Sequence, residues 1–418
     1  MKHRWIQFIL VTSEASLVLV NAGGAIFSSL ILNEFLVADI SKAISYITRG
    51  VALNQPRLLQ RAIRHNASIR RLVSASQLNE VIAQNIPTSN PSFETLNKCV
   101  LKIITIELEK AAQNSAMEVD QPSTTTDPSS PVAVIPEVEV YLFSLVVTTL
   151  LRHNLNEDAA FASTVLVDRI RSFHARSVDI FSAKAFFYFS LSYEKTNQLN
   201  KIRPTLLSLY RSACLHHNEL GQAVLLNLLL RNYISYNLIE QAQNLASKAS
   251  MPENASNNQF CRYLYYMGRI LAIQLDYSDA YLRLMMAIRK LPQGHAIGFA
   301  LHIHKLVVLV QLLMGDIPER SIFNQVEFRK QLRPYLLLTL AVRNGDLIAF
   351  NEMVGKYGDA FKSDHNYTLV QRLGHNVLKT GLRKISLSYS RISLADIALK
   401  LHLPSARTAE YICAKAIR

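Results

Sequence analysis

Lys384-Ile-Ser-Leu-Ser-Tyr-Ser-Arg-Ile392, followed at once by Ser393-Leu-Ala-Asp396 and then by Leu403-Pro-Ser405, is the stretch whose reading decides the fold of this chain's end. Its first nine residues alternate in polarity and carry Ile385, Tyr389 and Ile392, which predicts a short strand. Ser393, with an acidic residue three positions on, fits a helix N-cap. Ile397, Ala398 and Leu401 continue that helix. Leu403-Pro404-Ser405 makes a turn with Ser405 as the next N-cap, and Ala409, Ile412, Cys413 and Ala416 mark the apolar face of a last helix. Strand, helix, tight turn, helix is the core of a winged-helix unit.

In such a strand Leu387, Tyr389 and Arg391 share one face, and Ser386, Ser388 and Ser390 the other. An edge strand presents unpaired N–H and C=O groups to another chain. These six residues are therefore the candidate interaction site, an assembly strand.

Working back from that segment, the chain from Pro136 to about Lys362 reads as helix after helix. Apolar stripes restart at Asn156-Glu-Asp-Ala159, Leu199-Asn-Lys-Ile202, Leu238-Ile-Glu-Gln-Ala242, Tyr277-Ser-Asp-Ala280 and Gly315-Asp-Ile-Pro-Glu-Arg320. The spacing is about 40 residues, in the range of helix-pair solenoids. Gly268, with Tyr277 and Ala280 after it, fits the tetratricopeptide pattern of small residues between paired helices. A half-unit begins at Asn344-Gly-Asp-Leu347. Stacked pairs of this kind leave a long surface for partners.

Further back, Ile40, Ile44, Ile47 and Val51 form one helical stripe, and a second helix follows Pro56. Residues 115–136, which contain Gln121-Pro-Ser-Thr-Thr-Thr-Asp-Pro-Ser-Ser-Pro131, read as a disordered linker, because so polar a segment buries too little apolar surface to offset its ordering entropy. Read alone, the apolar segment of residues 1–37 resembles a signal peptide or a weak membrane span, but it is not expected to direct secretion; the rival readings are a buried helix and a mis-assigned first exon. Glu14 interrupts it, and no unbroken apolar run reaches the length of a membrane helix.

The formal net charge is +14. The densest basic sets are Arg61, Arg64, Arg70 and Arg71, and Arg372, Lys379, Arg383 and Lys384; neither is the continuous run of a basic tail. Four cysteines, Cys99, Cys214, Cys261 and Cys413, are far apart and suit reduced thiols inside a cell. No Gly-rich phosphate loop, H-E-x-x-H, EF-hand loop or G-x-S-x-G occurs. His302 with His304, and His216 with His217, are spaced so that a helix points them apart, which argues against a metal pair. Cys261 reads as a structural thiol, and Tyr263, Tyr265 and Tyr266 as packing between repeat helices rather than a nucleic-acid platform. The last helix offers Arg407 and Lys415, but its middle is acidic and apolar, unlike a base-reading helix. The residues point to protein binding without catalysis.

Four runs carry a family resemblance: Gly221-Gln-Ala-Val-Leu-Leu-Asn-Leu-Leu-Leu-Arg-Asn-Tyr233, Arg262-Tyr-Leu-Tyr-Tyr-Met-Gly-Arg269, Arg333-Pro-Tyr-Leu-Leu-Leu-Thr339 and Ile385-Ser-Leu-Ser-Tyr-Ser-Arg-Ile-Ser-Leu-Ala-Asp-Ile-Ala398. With them the chain, from about Val37 to Arg418, resembles the family of third non-ATPase subunits of the proteasome regulatory particle. The resemblance implies an all-α fold, a right-handed helical-repeat (TPR-like) solenoid followed by a PCI module with a truncated winged-helix end. The boundaries it suggests are N-terminal helices over 38–114, the linker over 115–136, the solenoid over 137–260, and the PCI domain over 261–418. Within the last, a helical half runs to about residue 383 and a partial winged helix covers 384–418. It also implies a non-catalytic lid subunit of cytoplasm and nucleus, bound to other lid subunits and above all to neighbouring PCI-domain subunits. No cofactor, small-molecule substrate, nucleic acid or membrane is expected. Other PCI scaffolds, of a signalosome, translation-initiation or mRNA-export complex, are the alternative. Members of the family continue past this chain's last residue with wing strands, further helices and an acidic tail.

Overall fold

Left-handed turn residues, repeated along the chain, organise this structure. It is a computed structural model that describes residues 24–87, 90–114, 135–173, 175–292, 294 and 296–417. Residues 1–23 of the apolar N-terminal segment and 115–134 of the expected linker lie outside the described residues. Among those described there are nineteen α-helices and no strand. The first four are α1 (Gly24–Ala52), α2 (Pro56–Leu72), α3 (Ala75–Asn85) and α4 (Pro91–Asn114). Next come α5 (Pro136–Arg152), α6 (Asn156–Ser172), a 3-10 turn at Arg176–Val178, α7 (Asp179–Lys195), α8 (Arg203–Leu215), α9 (Glu219–Ser235) and α10 (Ile239–Lys248). The remainder are α11 (Asn257–Ile273), α12 (Tyr277–Lys290), α13 (Ile297–Met314), α14 (Arg320–Asn324), α15 (Arg329–Asn344), α16 (Leu347–Ser363), α17 (Tyr367–Ser388), α18 (Leu394–Lys400) and α19 (Ala406–Ile417).

Asn54, Asn154, Asn197, His217, Asn237, Leu275, Gly315, Gly345, His365 and His402 all have positive φ. After each, the next backbone N–H reaches the carbonyl five residues back: Leu155 to Leu150 at 3.1 Å, Leu238 to Tyr233 at 2.9 Å, Asn366 to Phe361 at 2.9 Å. That bond closes a Schellman turn and satisfies a carbonyl the helix leaves open. Positions 154, 197, 237, 275 and 315 are separated by 43, 40, 38 and 40 residues. This is the repeat read from the sequence, now with its cause. Helices α6, α12, α14 and α16 begin where the stripes restart.

Asn enters the left-handed region readily because its short side chain bonds locally, and Gly because it has no Cβ. Leu275 has neither excuse, yet its φ is +80° and its side chain is exposed. Leu275→Asn is expected to raise stability by about 1 kcal/mol. The check is a urea midpoint that moves up with unchanged slope; a lower midpoint would contradict the strain.

The chain divides into two compact units, residues 1–228 and 229–418. In the first, Ile40, Ile44 and Ile47 of α1 are buried as their stripe predicts. Helix α5 is buried on nearly every side, from Glu137 to Leu151, which explains its lack of a polar face. Its buried Glu139 receives Arg169 Nε at 3.0 Å and Asn90 Nδ2 at 3.3 Å. In the second unit α13 is the centre. Among the described residues it is the one helix long and apolar enough to cross a membrane. Its Leu301, Ile303, Leu306, Val308 and Val310 instead fill the core, against Leu332, Leu338 and Val370. Gly268 lets α11 approach α12, because a Cβ there would stand 2.7 Å from Leu284 Cγ.

Helix α17 joins two cores. Leu369, Val370, Leu373 and Val377 belong to the larger one. Leu382 and Ile385 pack on a smaller one made by Ile397, Ala398, Leu401 and Ala409. This corrects the strand expected at Ser386, Leu387, Ser388, Tyr389, Ser390 and Arg391. Residues 386–388 are the last turn of α17, and 389–391 are irregular. The reason is local: the Ser386 hydroxyl donates to the Arg383 carbonyl at 2.8 Å and the Ser388 hydroxyl to that of Lys384 at 3.0 Å. Both serine side chains fold back onto helix carbonyls, while Ile385 keeps its helical register on the small core and the Tyr389 N–H still bonds the Ile385 carbonyl.

Candidate functional site

No group of three or more His, Cys, Asp or Glu side chains that could hold a metal occurs among the described residues. His302 and His304 are held below the ordinary imidazole pKa by burial, with Lys305 adding to the effect on His302. His304 lies against Phe328 at 5.3 Å between ring centroids. All four cysteines are free thiols. Cys261 is buried, its Sγ donates to the Ala287 carbonyl at 3.7 Å, and burial pushes its thiol up, the opposite of a nucleophile. Tyr265 packs on Phe299 at 5.5 Å, as expected of a residue between repeat helices.

One cleft in the first unit, of about 700 Å³ between α6, α7 and α8, gathers Arg171, Arg176, Asp179 and His216. Burial raises the Asp179 carboxyl, and Asn218 Nδ2 donates to it at 2.7 Å. Two of the lining serines, Ser182 and Ser208, donate to the helix carbonyls of Asp179 and Thr205 at 2.9 and 2.8 Å. Those two hydroxyls are directed at backbone rather than at a base.

The feature that stands out lies at the C-terminal end. Ser393 caps α18 as read from the sequence: its hydroxyl accepts the Asp396 N–H at 3.1 Å and donates to Asp396 Oδ2 at 2.7 Å. Ser405 accepts the Thr408 N–H at 3.3 Å at the start of α19. The two short helices are set against the end of α17 by four buried side chains, Ile397, Ala398, Leu401 and Ala409. So small a core leaves much apolar surface outside. Leu387, Leu399, Tyr411 and Ile417 are each 73–87 % exposed, and Tyr389 and Leu394 are exposed too. Lys400 sits over the Tyr389 ring at 3.7 Å and donates to its hydroxyl, which holds the ring in place. Arg391, Ser393 and Asp396 line the same shallow hollow.

All six predicted site residues, Ser386 to Arg391, are exposed on this end. The alternation that put Leu387, Tyr389 and Arg391 on one strand face does not survive, since Leu387 is helical. The sequence missed Leu394, Leu399, Tyr411 and Ile417. Leu399 sits among the apolar residues of α18, and only knowing which face meets α17 separates it from Leu401. Six exposed large apolar side chains on so few residues form a surface that proteins normally cover with a partner.

Comparison with known proteins gives this surface its context. A family model described as PSMD3-like, N-terminal TPR repeats, matches residues 32–339. A PCI domain model matches residues 354–418. The chain is 42 % identical over 382 residues to a 26S proteasome non-ATPase regulatory subunit 3 from Dictyostelium discoideum, covering 91 % of this chain and 75 % of that one. It is 43 % identical over 383 residues to homolog B of that subunit from Arabidopsis thaliana, with 91 % and 76 % covered. It is 43 % identical over 384 residues to a probable 26S proteasome regulatory subunit rpn3 from Schizosaccharomyces pombe, with 92 % and 75 % covered.

Proposed function

The chain belongs to the family of 26S proteasome non-ATPase regulatory subunit 3, and from that premise we propose that it is a non-catalytic scaffold of the regulatory particle's lid, supporting ubiquitin-dependent protein degradation through assembly contacts. One observation supports this reading above the others. The exposed apolar end of α17, α18 and α19 falls inside the PCI match. The partners proposed are other lid subunits, first the neighbouring PCI-domain subunits, in cytoplasm and nucleus.

The domain reading that goes with it keeps a helical-repeat solenoid over 137–260 and a PCI domain over 261–418. The contact is proposed to include Ser386–Arg391, now as an exposed helix end rather than a strand. Leu387 and Tyr389 supply apolar area there, and Arg391 supplies charge at the rim.

The test is a double substitution, Leu387→Asp with Leu399→Asp. Both side chains are largely in water, so the folded chain should keep its helical circular dichroism and its unfolding midpoint. Recovery of partner subunits should fall by about tenfold or more, because charges would be buried in the contact. Recovery at the parent level would show that assembly uses another surface.

A further inference from the structure

Helix α2 meets α7 through Ile63, Asn66 and Arg70, three residues at helical spacing on one face. Facing them on α7 are Lys184 and Tyr188, one turn apart. Lys184 Nζ donates to the Ile63 carbonyl at 3.3 Å, and Arg70 Nη1 donates to the Tyr188 hydroxyl at 3.2 Å. Tyr188 is buried and Lys184 half-buried. Asn66, between the two contacts, is 4 % exposed, and its Oδ1 has no hydrogen-bond partner. Neither cation forms an ion pair with a carboxylate of the described residues. Burial, and then the charge of Arg70, hold the Lys184 ammonium below its ordinary pKa.

Arg57, Arg61, Arg64 and Arg71 form an exposed stripe on the opposite face of α2 and point away from these contacts, and α2 itself contains no acidic residue. Lys184, half-buried and without a carboxylate partner among the described residues, carries an electrostatic cost that an anion relieves, and the exposed Arg70 guanidinium stands beside it.

We propose that Arg70, Lys184, Tyr188 and Asn66 form a binding site for a phosphomonoester dianion. The charge count selects that class: two cations match two negative charges, whereas a carboxylate brings one. The donors match it too. Arg70 has free N–H groups, Lys184 has two further protons, and the Tyr188 hydroxyl, accepting from Arg70, can donate outward to a third oxygen. The Asn66 amide, turned about its last torsion, offers N–H in place of the unpartnered oxygen. This is a side-chain site, unrelated to Gly-rich phosphate loops.

The test uses the purified full chain and inorganic phosphate, followed by calorimetry and by phosphorus NMR line width. Saturable binding is expected, weakened about tenfold or more in Lys184→Met and in Arg70→Gln and retained in Lys184→Arg. Lys184→Met should also melt higher than the parent in phosphate-free buffer, because it removes a shielded charge from beside Arg70; this readout shows that the variant is folded. No saturable binding by the parent, equal binding by Lys184→Met, or equal binding of acetate at matched ionic strength would overturn the site. A phosphoserine peptide binding about tenfold tighter than inorganic phosphate assigns the group to a modified protein segment; equal affinity assigns it to a small phosphate ester.

Discussion

Gly345→Ala is expected to destabilise the second unit by about 3 kcal/mol or more, more than most single substitutions. Two physical effects act together. Gly345 has φ +67°, where a Cβ costs about 1 kcal/mol. The added Cβ would also stand 2.6 Å from Gly381 Cα and 2.7 Å from Gly381 N, so backbone rather than a pliable side chain must move. Gly381 has no room to give, since a Cβ on it would meet Leu401 Cδ2 at 2.7 Å and the Gly345 carbonyl oxygen at 3.0 Å. The turn between α15 and α16 thus rests directly on α17 at Gly381, immediately before Leu382 and Ile385, which pack on the small C-terminal core. Lys384 Nζ adds a bond to the Asn344 carbonyl at 3.1 Å across the same junction. Gly355→Ala is the control. It lies within α16 with nothing within 4 Å of a new Cβ, and should gain up to about 1 kcal/mol from helix propensity. Urea unfolding of both variants checks the pair; equal effects would show that the Gly345–Gly381 contact carries no strain.

The second large effect is Asp364→Ala, with an expected loss of about 3–5 kcal/mol. Lys305 Nζ lies 2.8 Å from both carboxylate oxygens of Asp364, and the two side chains are only 11 % and 10 % exposed. The Tyr335 hydroxyl donates to Asp364 Oδ2 at 2.9 Å and accepts from Asn366 Nδ2 at 3.3 Å. Burial drives the Tyr335 phenol well above its ordinary pKa, so it remains a donor. Removing the carboxylate leaves a shielded ammonium and a phenol without acceptors. Lys305→Met is expected to be damaging for the mirror reason, since it strands the carboxylate. The double variant Lys305→Met with Asp364→Leu removes both charges and should lose at least about 1 kcal/mol less than the two singles together. Additive losses in a denaturant series would mean that the two charges do not act as a pair.

The architecture was legible in the sequence because it depends on local chemistry. Helix restarts at Asn156, Tyr277, Arg320 and Leu347 follow from stripes and turn residues within a few positions of one another. The caps at Ser393 and Ser405 were legible for the same reason. The alternation over residues 384–392 predicts a strand, but the segment holds few strong strand formers and α17 runs into it from upstream. Ile385 stays in helical register on the small core, and the Ser386 and Ser388 hydroxyls fold back onto helix carbonyls. What the sequence could not show is long-range. Lys305 meets Asp364 across 59 residues, and Gly345 meets Gly381 only once α17 is folded against its neighbours. The assembly surface was found at its first six residues and missed at Leu394, Leu399, Tyr411 and Ile417, since exposure of an apolar residue depends on which helix face finds the small core.

Purification of the tagged chain from its native cells, with mass identification of what sediments with it, tests the central claim most directly. The account predicts that the chain travels in one large assembly with other proteasome regulatory-particle subunits, PCI-domain subunits among them, and that Leu387→Asp with Leu399→Asp leaves that assembly while remaining folded. A chain that sediments alone, or with the subunits of a different PCI complex, would contradict it.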